Sequence, residues 1–155
     1  MEKNGQQRTC LVIATDGSPG AREALETGLA LARESGAVAT LVYVRHGPFR
    51  ALGDPLYQRS LGEELRQARS ALAEAEALAG EAGVASESEI LEGHPAERVI
   101  ELARARNAEL IVVGSRGRGG IAAALLGSVS TDIVHKADRP VLVVKQRSRV
   151  RSHAA

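Results

Sequence analysis

A glycine-rich segment contains the residues whose chemistry is best suited to binding a ligand. Four glycines lie within the seven residues Gly114–Gly120, where the backbone can approach a ligand closely and present its N–H groups. Arg116 and Arg118 add fixed positive charge. Beyond them, the hydroxyl groups of Ser128 and Ser130 can donate hydrogen bonds to phosphate oxygens. The types and spacing of these residues predict a binding site for phosphate.

Two common phosphate-binding motifs do not fit this segment. Gly114–Gly119 has the first part of the Walker A spacing, but Gly120-Ile121 stand where Lys and Ser or Thr are needed. Gly117–Ala122 fits the loose dinucleotide pattern, but the next aliphatic run ends at Lys145, without the acid that binds a ribose 2′-hydroxyl. A phosphate cradle of another type is favoured, and the alternative is an ordinary surface loop followed by a serine-capped helix.

Residues that could catalyse a reaction are scarce. None of the histidines has metal-ligand spacing, and residues 127–131 do not form the G-x-S-x-G turn that carries a nucleophilic serine. A response-regulator receiver would need an Asp at the end of the third strand, where Glu92-Gly93 is a poor substitute. The sequence therefore predicts no catalytic residue and no protein metal site. The histidines are His46, His94, His135 and His153.

Four short aliphatic runs predict the strands that position this segment. They are continuous rather than alternating, which is typical of parallel strands covered by helices on both faces. A fifth candidate, Ser86–Leu91, alternates polar and apolar residues and is predicted to lie at a sheet edge. The four aliphatic runs are Cys10–Ala14, Val38–Val44, Leu110–Val113 and Val141–Val144.

Between the strands, apolar residues recur every three or four positions, as in helices that pack on one face. The first helix is predicted to begin at Ser18-Pro19 and to end near Gly36, and the second spans the apolar positions of Leu61–Ala82. Two more are predicted after His94-Pro95 and Gly127-Ser128. This alternation predicts an α/β fold, with a single doubly wound, five-stranded parallel sheet that is Rossmann-like or flavodoxin-like.

The predicted strand order follows from where ligands bind in such sheets, which is outside the carboxyl ends of the strands. Asp16 follows the first strand and the glycine-rich segment follows the fourth, so these two strands must be neighbours if both are to line one site. The order 3-2-1-4-5 satisfies this requirement. It leaves Val141–Val144 at an edge without protecting charge, which predicts a homodimer formed by antiparallel pairing of this strand.

Length and composition limit the remaining possibilities. The chain has 155 residues, which predicts one domain with its core at residues 9–145 and a frayed polar tail at residues 146–155. Its 20 Lys and Arg nearly balance its 19 Asp and Glu, and only three residues are aromatic, so a nucleic-acid partner is not expected. A single cysteine and the lack of a long apolar run predict a cytoplasmic protein that does not enter membranes.

The chain resembles the nucleotide-binding branch of the universal stress protein family. That branch carries G-x2-G-x9-G-[S/T] after its fourth strand. This chain has Gly114 and Gly117 separated by two residues, then nine residues before Gly127-Ser128. The likeness extends from Thr9 to Lys145. It includes the segments Ala14–Ser18, Leu41–Val44 and Arg139–Val144.

The resemblance implies that the motif glycines, with Ser128, Val129 and Ser130, hold the ribose and phosphates. It also implies that Asp16 lies beside the nucleoside, where the alternative is a turn residue, and that Val44 meets the adenine through its backbone. A phosphate role for Arg116 and Arg118 is inferred from charge alone. The complete set of predicted nucleotide-binding residues is Thr15, Asp16, Val44, Gly114, Ser115, Arg116, Gly117, Arg118, Gly127, Ser128, Val129 and Ser130.

The expected function is that of an ATP-binding sensor or regulator in a stress response, acting on a protein partner that the sequence does not identify. Mg²⁺ or Mn²⁺ is expected to accompany the triphosphate, with Asp16 or phosphate oxygens as its ligands. Two alternatives stay open at this point. One is a slow ATPase or phosphotransferase, and the other is an interaction protein that binds no nucleotide.

Overall fold

A five-stranded parallel sheet lies between two layers of helices in the computed structural model, which describes residues 8–47, 53–116 and 126–147. The strands are β1 (Cys10–Ala14), β2 (Val38–Arg45), β3 (Ser86–Glu92), β4 (Leu110–Gly114) and β5 (Val141–Val144). The helices are α1 (Pro19–Ser35), α2 (Asp54–Glu81), α3 (Pro95–Ala105) and α4 (Ser128–Lys136). Strands and helices alternate along the chain, which confirms the predicted α/β fold.

The strand order is β3-β2-β1-β4-β5, with every neighbouring pair parallel. Ile13 of β1 lies opposite Leu41 of β2 on one side and Val112 of β4 on the other. The predicted order 3-2-1-4-5 is therefore confirmed. Because β1 and β4 are neighbours, the loops that follow them leave the same edge of the sheet.

The core is divided by the sheet into two apolar layers. Ile13 of β1 packs with residues of α1 and α2, whereas the adjacent Val12 packs with residues of α3 and α4. Both side chains have no exposed surface. Successive residues of a strand point to opposite faces, so continuous aliphatic runs are needed to fill both layers.

The helix boundaries follow the predicted signals with one exception. Ser18 caps α1 by accepting a hydrogen bond from the backbone N–H of Ala21, and Gly36 ends the helix in the left-handed conformation, at φ 69°. The second helix, predicted from Leu61, begins earlier, at Asp54. Its first turn contains Pro55, and proline is accepted there because the first N–H groups of a helix have no partner within it.

The chain leaving β5 passes over α1. The backbone N–H of Arg147 donates to a carboxylate oxygen of Glu23 at 2.8 Å. Residues 146 and 147 were predicted to belong to a frayed tail, and in the structure this contact fixes the start of that segment. Residues 148–155 lie outside the described residues. None of the helices in the described ranges combines the length and hydropathy needed to cross a bilayer.

Candidate functional site

The loop between β1 and α1 forms the first wall of the site. Asp16 accepts a hydrogen bond from the N–H of Ser18 at 2.9 Å, and the hydroxyl of Thr15 accepts one from the N–H of Gly17 at 3.2 Å. Gly17 adopts φ 77°, which favours glycine. Asp16 therefore shapes the turn before Ser18 while its side chain stays partly exposed at the carboxyl edge.

The second wall begins at Ser115, directly after β4. Its N–H extends the β4 to β5 pairing by donating to the carbonyl of Val144 at 2.8 Å. Its own carbonyl accepts from the N–H of Gly127 at 2.6 Å and from the hydroxyl of Ser130 at 3.3 Å. One buried carbonyl thus joins Ser115, at the end of β4, to Gly127 and Ser130 at the start of α4.

The N-terminus of α4 is capped by Gly127, which has no side chain, and not by a serine as in the alternative considered from the sequence. Ser128 is instead the first helical residue and is exposed. Glycine is acceptable as a cap, although it supplies no oxygen to the first N–H groups. Such N–H groups, together with the helix dipole, favour a bound anion.

Val129 and Ser130 continue α4 toward the core. Val129 packs against the apolar layer under α3 and α4, and Ser130 is only 2% exposed. The Ser130 hydroxyl donates to the carbonyls of Ser115 and Gly127. Within the described residues, Ser130 therefore fixes the shape of the loop, while Ser128 presents its hydroxyl at the surface.

Gly20, in the first turn of α1, was missed by the sequence reasoning. A Cβ atom added to Gly20 would lie 2.8 Å from the carbonyl oxygen of Arg116, closer than real contacts allow. Arg116 therefore passes directly over the N-terminus of α1. The signal was the pair Pro19-Gly20, because glycine has a low helix propensity and has a reason to stand in a helix only where space or conformation requires it.

Val44 lies near the end of β2, beside the first wall, and is half-buried. The structure brings it to the same edge as the loop after β1, because Ala14 at the end of β1 is paired with Val42. Most of the predicted site residues are thus gathered at the carboxyl edge of β2, β1 and β4. Gly117 and Arg118 lie outside the described residues.

The electrostatics of this edge favour an anion. The N-termini of α1 and α4 both lie there, and helix N-termini carry partial positive charge. Arg116 is partly buried between them. Among the described residues, no three His, Cys, Asp or Glu side chains converge to hold a metal ion.

Two groups with shifted pKa values lie at the opposite edge of the sheet. The hydrogen bond from Arg139, and then that from Arg104, lower the pKa of Asp138. The pKa of Arg106 is raised, chiefly by its hydrogen bond to Glu89. These groups join α3 to neighbouring elements, so they stabilise the scaffold and are not part of the site.

Comparison with known proteins gives a consistent result. The model of the universal stress protein family matches residues 9–145. A universal stress protein of Methanocaldococcus jannaschii is 37% identical over 138 residues, covering 88% of this chain and 81% of its own. Another, from Thermus aquaticus, is 35% identical over 135 residues, covering 87% of this chain and 97% of its own.

Solved structures resemble the fold closely. A universal stress protein from Lactobacillus plantarum gives a TM-score of 0.80 at 23% identity, covering 88% of this chain and 97% of its own. A universal stress protein solved in complex with cAMP gives a TM-score of 0.68 at 27% identity, covering 90% of this chain and 98% of its own. A universal stress protein from Archaeoglobus fulgidus in complex with dAMP gives a TM-score of 0.70 at 25% identity, covering 89% of this chain and 98% of its own.

Proposed function

The chain belongs to the universal stress protein family, and on that premise we propose that it binds ATP at the carboxyl edge between β1 and β4. The observation that carries the proposal is the hydrogen bond by which the Ser115 carbonyl holds Gly127 at the start of α4. The first turn of that helix has no side-chain cap. An anion is the natural partner of such a helix start.

Glycine is required at both ends of this loop by close backbone contacts. A Cβ atom on Gly114 would lie 3.0 Å from the carbonyl oxygen of Gly20, and one on Gly127 would lie 3.2 Å from that of Ser115. Both distances are tighter than ordinary Cβ contacts. The backbone is thus the surface offered to a ligand here, which suits phosphate groups that accept hydrogen bonds from N–H donors.

The nucleotide is assigned as an adenine nucleotide because relatives of similar fold were solved with cAMP and with dAMP. The preference for a triphosphate is inferred from the charge of Arg116 and Arg118, which would act on the outer phosphates. Mg²⁺ or Mn²⁺ would be held by phosphate oxygens or by Asp16, the carboxylate of the loop after β1.

The bound nucleotide is proposed to act as a signal. Fixing the conformation of a glycine-rich sequence costs more backbone entropy than fixing other sequences, so a ligand that contacts residues 115–126 shifts their conformational population. A partner protein in the cytoplasm would then recognise the altered surface. The functional unit is the single domain formed by residues 9–145.

A homodimer through β5 is part of this proposal. All four residues of Val141–Val144 are only partly buried in the single chain, and β5 is an edge strand. Val134 of α4, which packs beside β5, is 47% exposed. Antiparallel pairing with β5 of a second copy would satisfy the free backbone groups and cover this apolar edge.

The test is to incubate the purified protein with ATP and Mg²⁺ and to analyse both the retained nucleotide and the released phosphate. The proposal predicts retained ATP without comparable phosphate release. Retained nucleotide that turns into ADP with steady release of phosphate would indicate an ATPase. If no nucleotide is retained, the alternative of an interaction protein that binds no nucleotide is favoured, and the proposal is overturned.

A further inference from the structure

A cluster of three charged side chains lies next to Val44, at the end of the proposed site where the nucleobase would bind. Arg45 is the last residue of β2 and directly follows Val44, and its side chain is 14% exposed. Its guanidinium forms an ion pair with Glu92, the last residue of β3. It also faces Glu64 of α2, with Nη1 at 3.5 Å from a carboxylate oxygen. Three separate elements therefore meet at Arg45.

The backbone around Arg45 is fixed as well. Its carbonyl accepts a hydrogen bond from the N–H of Gly93 at 3.0 Å. Two residues later, Gly47 adopts φ 82°, and a Cβ atom added there would lie 2.9 Å from a carboxylate oxygen of Glu92. The Glu92 carboxylate thus fills the space between the Arg45 guanidinium and the turn that leaves β2.

The contact between Arg45 and Glu64 is incomplete. Arg45 Nη1 and Glu64 Oε2 are both buried, and neither has a hydrogen-bond partner among the described residues. Their separation of 3.5 Å exceeds the usual N to O distance of about 2.9 Å. Because buried charged groups are costly without partners, a small shift of α2 toward β2 would complete this bond and be favourable.

The ion pair between Arg45 and Glu64 fixes where α2 lies relative to the carboxyl end of β2. Glu64 lies level with the end of β2, so the preceding residues, Asp54–Glu63, extend past the sheet by about 15 Å at 1.5 Å per residue. In this part, Tyr57 and Leu61 are half-buried and continue the spacing of the buried Ala68 and Leu72. The apolar face of α2 therefore continues past the carboxyl end of β2, on the sheet face opposite to the one where the Val44 side chain packs.

We propose that Arg45 is a positioning residue for the nucleobase. It holds the first turns of α2, with Tyr57 and Leu61, over the place where the resemblance sets the adenine against the backbone of Val44. This inference rests on the proposed nucleotide binding. A positioning role differs from a merely structural role of Arg45 in one respect. It makes selectivity for the base depend on Arg45, while the contribution of the phosphates to binding stays unchanged.

The experiment compares Arg45→Gln with wild type by calorimetric titration with AMP, ATP and GTP. We expect AMP and ATP to lose affinity by the same factor, about tenfold, and the preference for ATP over GTP to fall. Arg45→Lys, which keeps the charge but not the two-pronged geometry, should recover part of that preference. Glu64→Gln serves as the second variant, because it removes the same contact from the helix side.

Arg106→Gln is the matched control. Arg106 also bridges two carboxylates, those of Glu87 and Glu89, but at the amino end of β3. The variant Arg106→Gln should leave the preference for ATP over GTP unchanged. An unchanged preference in Arg45→Gln and Glu64→Gln, or an equal change in Arg106→Gln, overturns the inference while nucleotide binding stands. A wild type that binds no nucleotide overturns both.

Discussion

Gly20 and Gly114 meet backbone to backbone at the point where α1 begins and β4 ends. A Cβ atom placed on Gly114 would lie 3.0 Å from the carbonyl oxygen of Gly20 and 3.3 Å from the N–H nitrogen of Ala21. No side chain fits between the two elements. The loops after β1 and β4 are thereby held as one unit, so a change at either glycine is expected to move both walls of the site.

Gly20→Ala tests this contact. Alanine normally stabilises a helix relative to glycine, but here its methyl group would collide with the carbonyl of Arg116. We expect the free energy of unfolding to fall by about 1–3 kcal/mol, as for other overpacked sites, and ATP affinity to fall with it. Urea denaturation and calorimetric titration measure the two effects.

The control for this variant is Gly62→Ala in α2, where an added Cβ atom has no neighbour within 4 Å. It should raise the free energy of unfolding by about 0.5–1 kcal/mol and leave ATP affinity unchanged. A gain in stability for Gly20→Ala as well would show that the two elements can separate, and that the contact does not constrain the site.

Arg116 and Arg118 are expected to contribute to triphosphate binding through charge. Replacing both with Ala should weaken ATP more than AMP, because the outer phosphates carry the additional charge. Raising the salt concentration should reduce the difference, since screening weakens exposed charges most. Calorimetric titrations with both nucleotides at two salt concentrations measure this. Equal losses for ATP and AMP would show that the arginines only shape the loop.

The dimer prediction is tested at Val143, whose side chain is partly buried in the single chain. Val143→Lys places a charge on the edge strand and should release monomers, because edge charges oppose strand pairing. Removing residues 148–155 should leave the protein dimeric. Light scattering measures both variants. A wild-type protein with monomer mass at micromolar concentrations would contradict the prediction.

Arg139 should stabilise the scaffold away from the site. One of its nitrogens donates to the carbonyls of Ala103 and Ala108, at 2.9 and 2.8 Å. Arg139→Ala leaves these carbonyls without a charged donor and should lower the free energy of unfolding by about 2 kcal/mol. The control Arg104→Ala removes an exposed ion pair to Asp138 and should cost about 1 kcal/mol or less.

The pH dependence of this effect has a definite sign. Because Arg139 lowers the pKa of Asp138 in the folded protein, the pair stabilises the fold above about pH 4, the ordinary pKa of the carboxyl. That stabilisation is lost as the pH falls through the lower, folded pKa. The difference between wild type and Arg139→Ala should therefore shrink in acid. A difference that grows below pH 4 would contradict this assignment.

Much of the fold was predictable because its signals are local. Aliphatic runs such as Leu110–Val113 must be buried on both faces, and Ser18 and Gly36 mark the ends of a helix through their own hydrogen bonding and conformation. The start of α2 at Asp54 was missed because the proline and glycine around it are typical of turns. The half-buried Tyr57 continues the apolar face of α2 into this first part of the helix.

The site was predictable in its location but not in its internal bonding. The glycine spacing indicated a backbone cradle, yet it gave no sign that the Ser115 carbonyl would accept from both Gly127 and Ser130. Nor did it show that Gly20 would pack against Arg116. Such contacts join residues far apart in sequence, and their geometry depends on how α1 and α4 pack against the sheet.

Calorimetric titration of wild type and Gly127→Val with ATP and Mg²⁺ tests whether ATP binds where Gly127 meets Ser115. We expect wild type to bind ATP and the variant to bind it about tenfold to hundredfold more weakly, because the added side chain strains the backbone contact with Ser115. Gly80→Val is the control, since Gly80 lies in the last turn of α2, away from the site, and an added Cβ atom there has no neighbour within 4 Å. It should bind as wild type does. Equal ATP affinity in Gly127→Val and wild type, with both variants folded, would show that ATP does not bind at the start of α4.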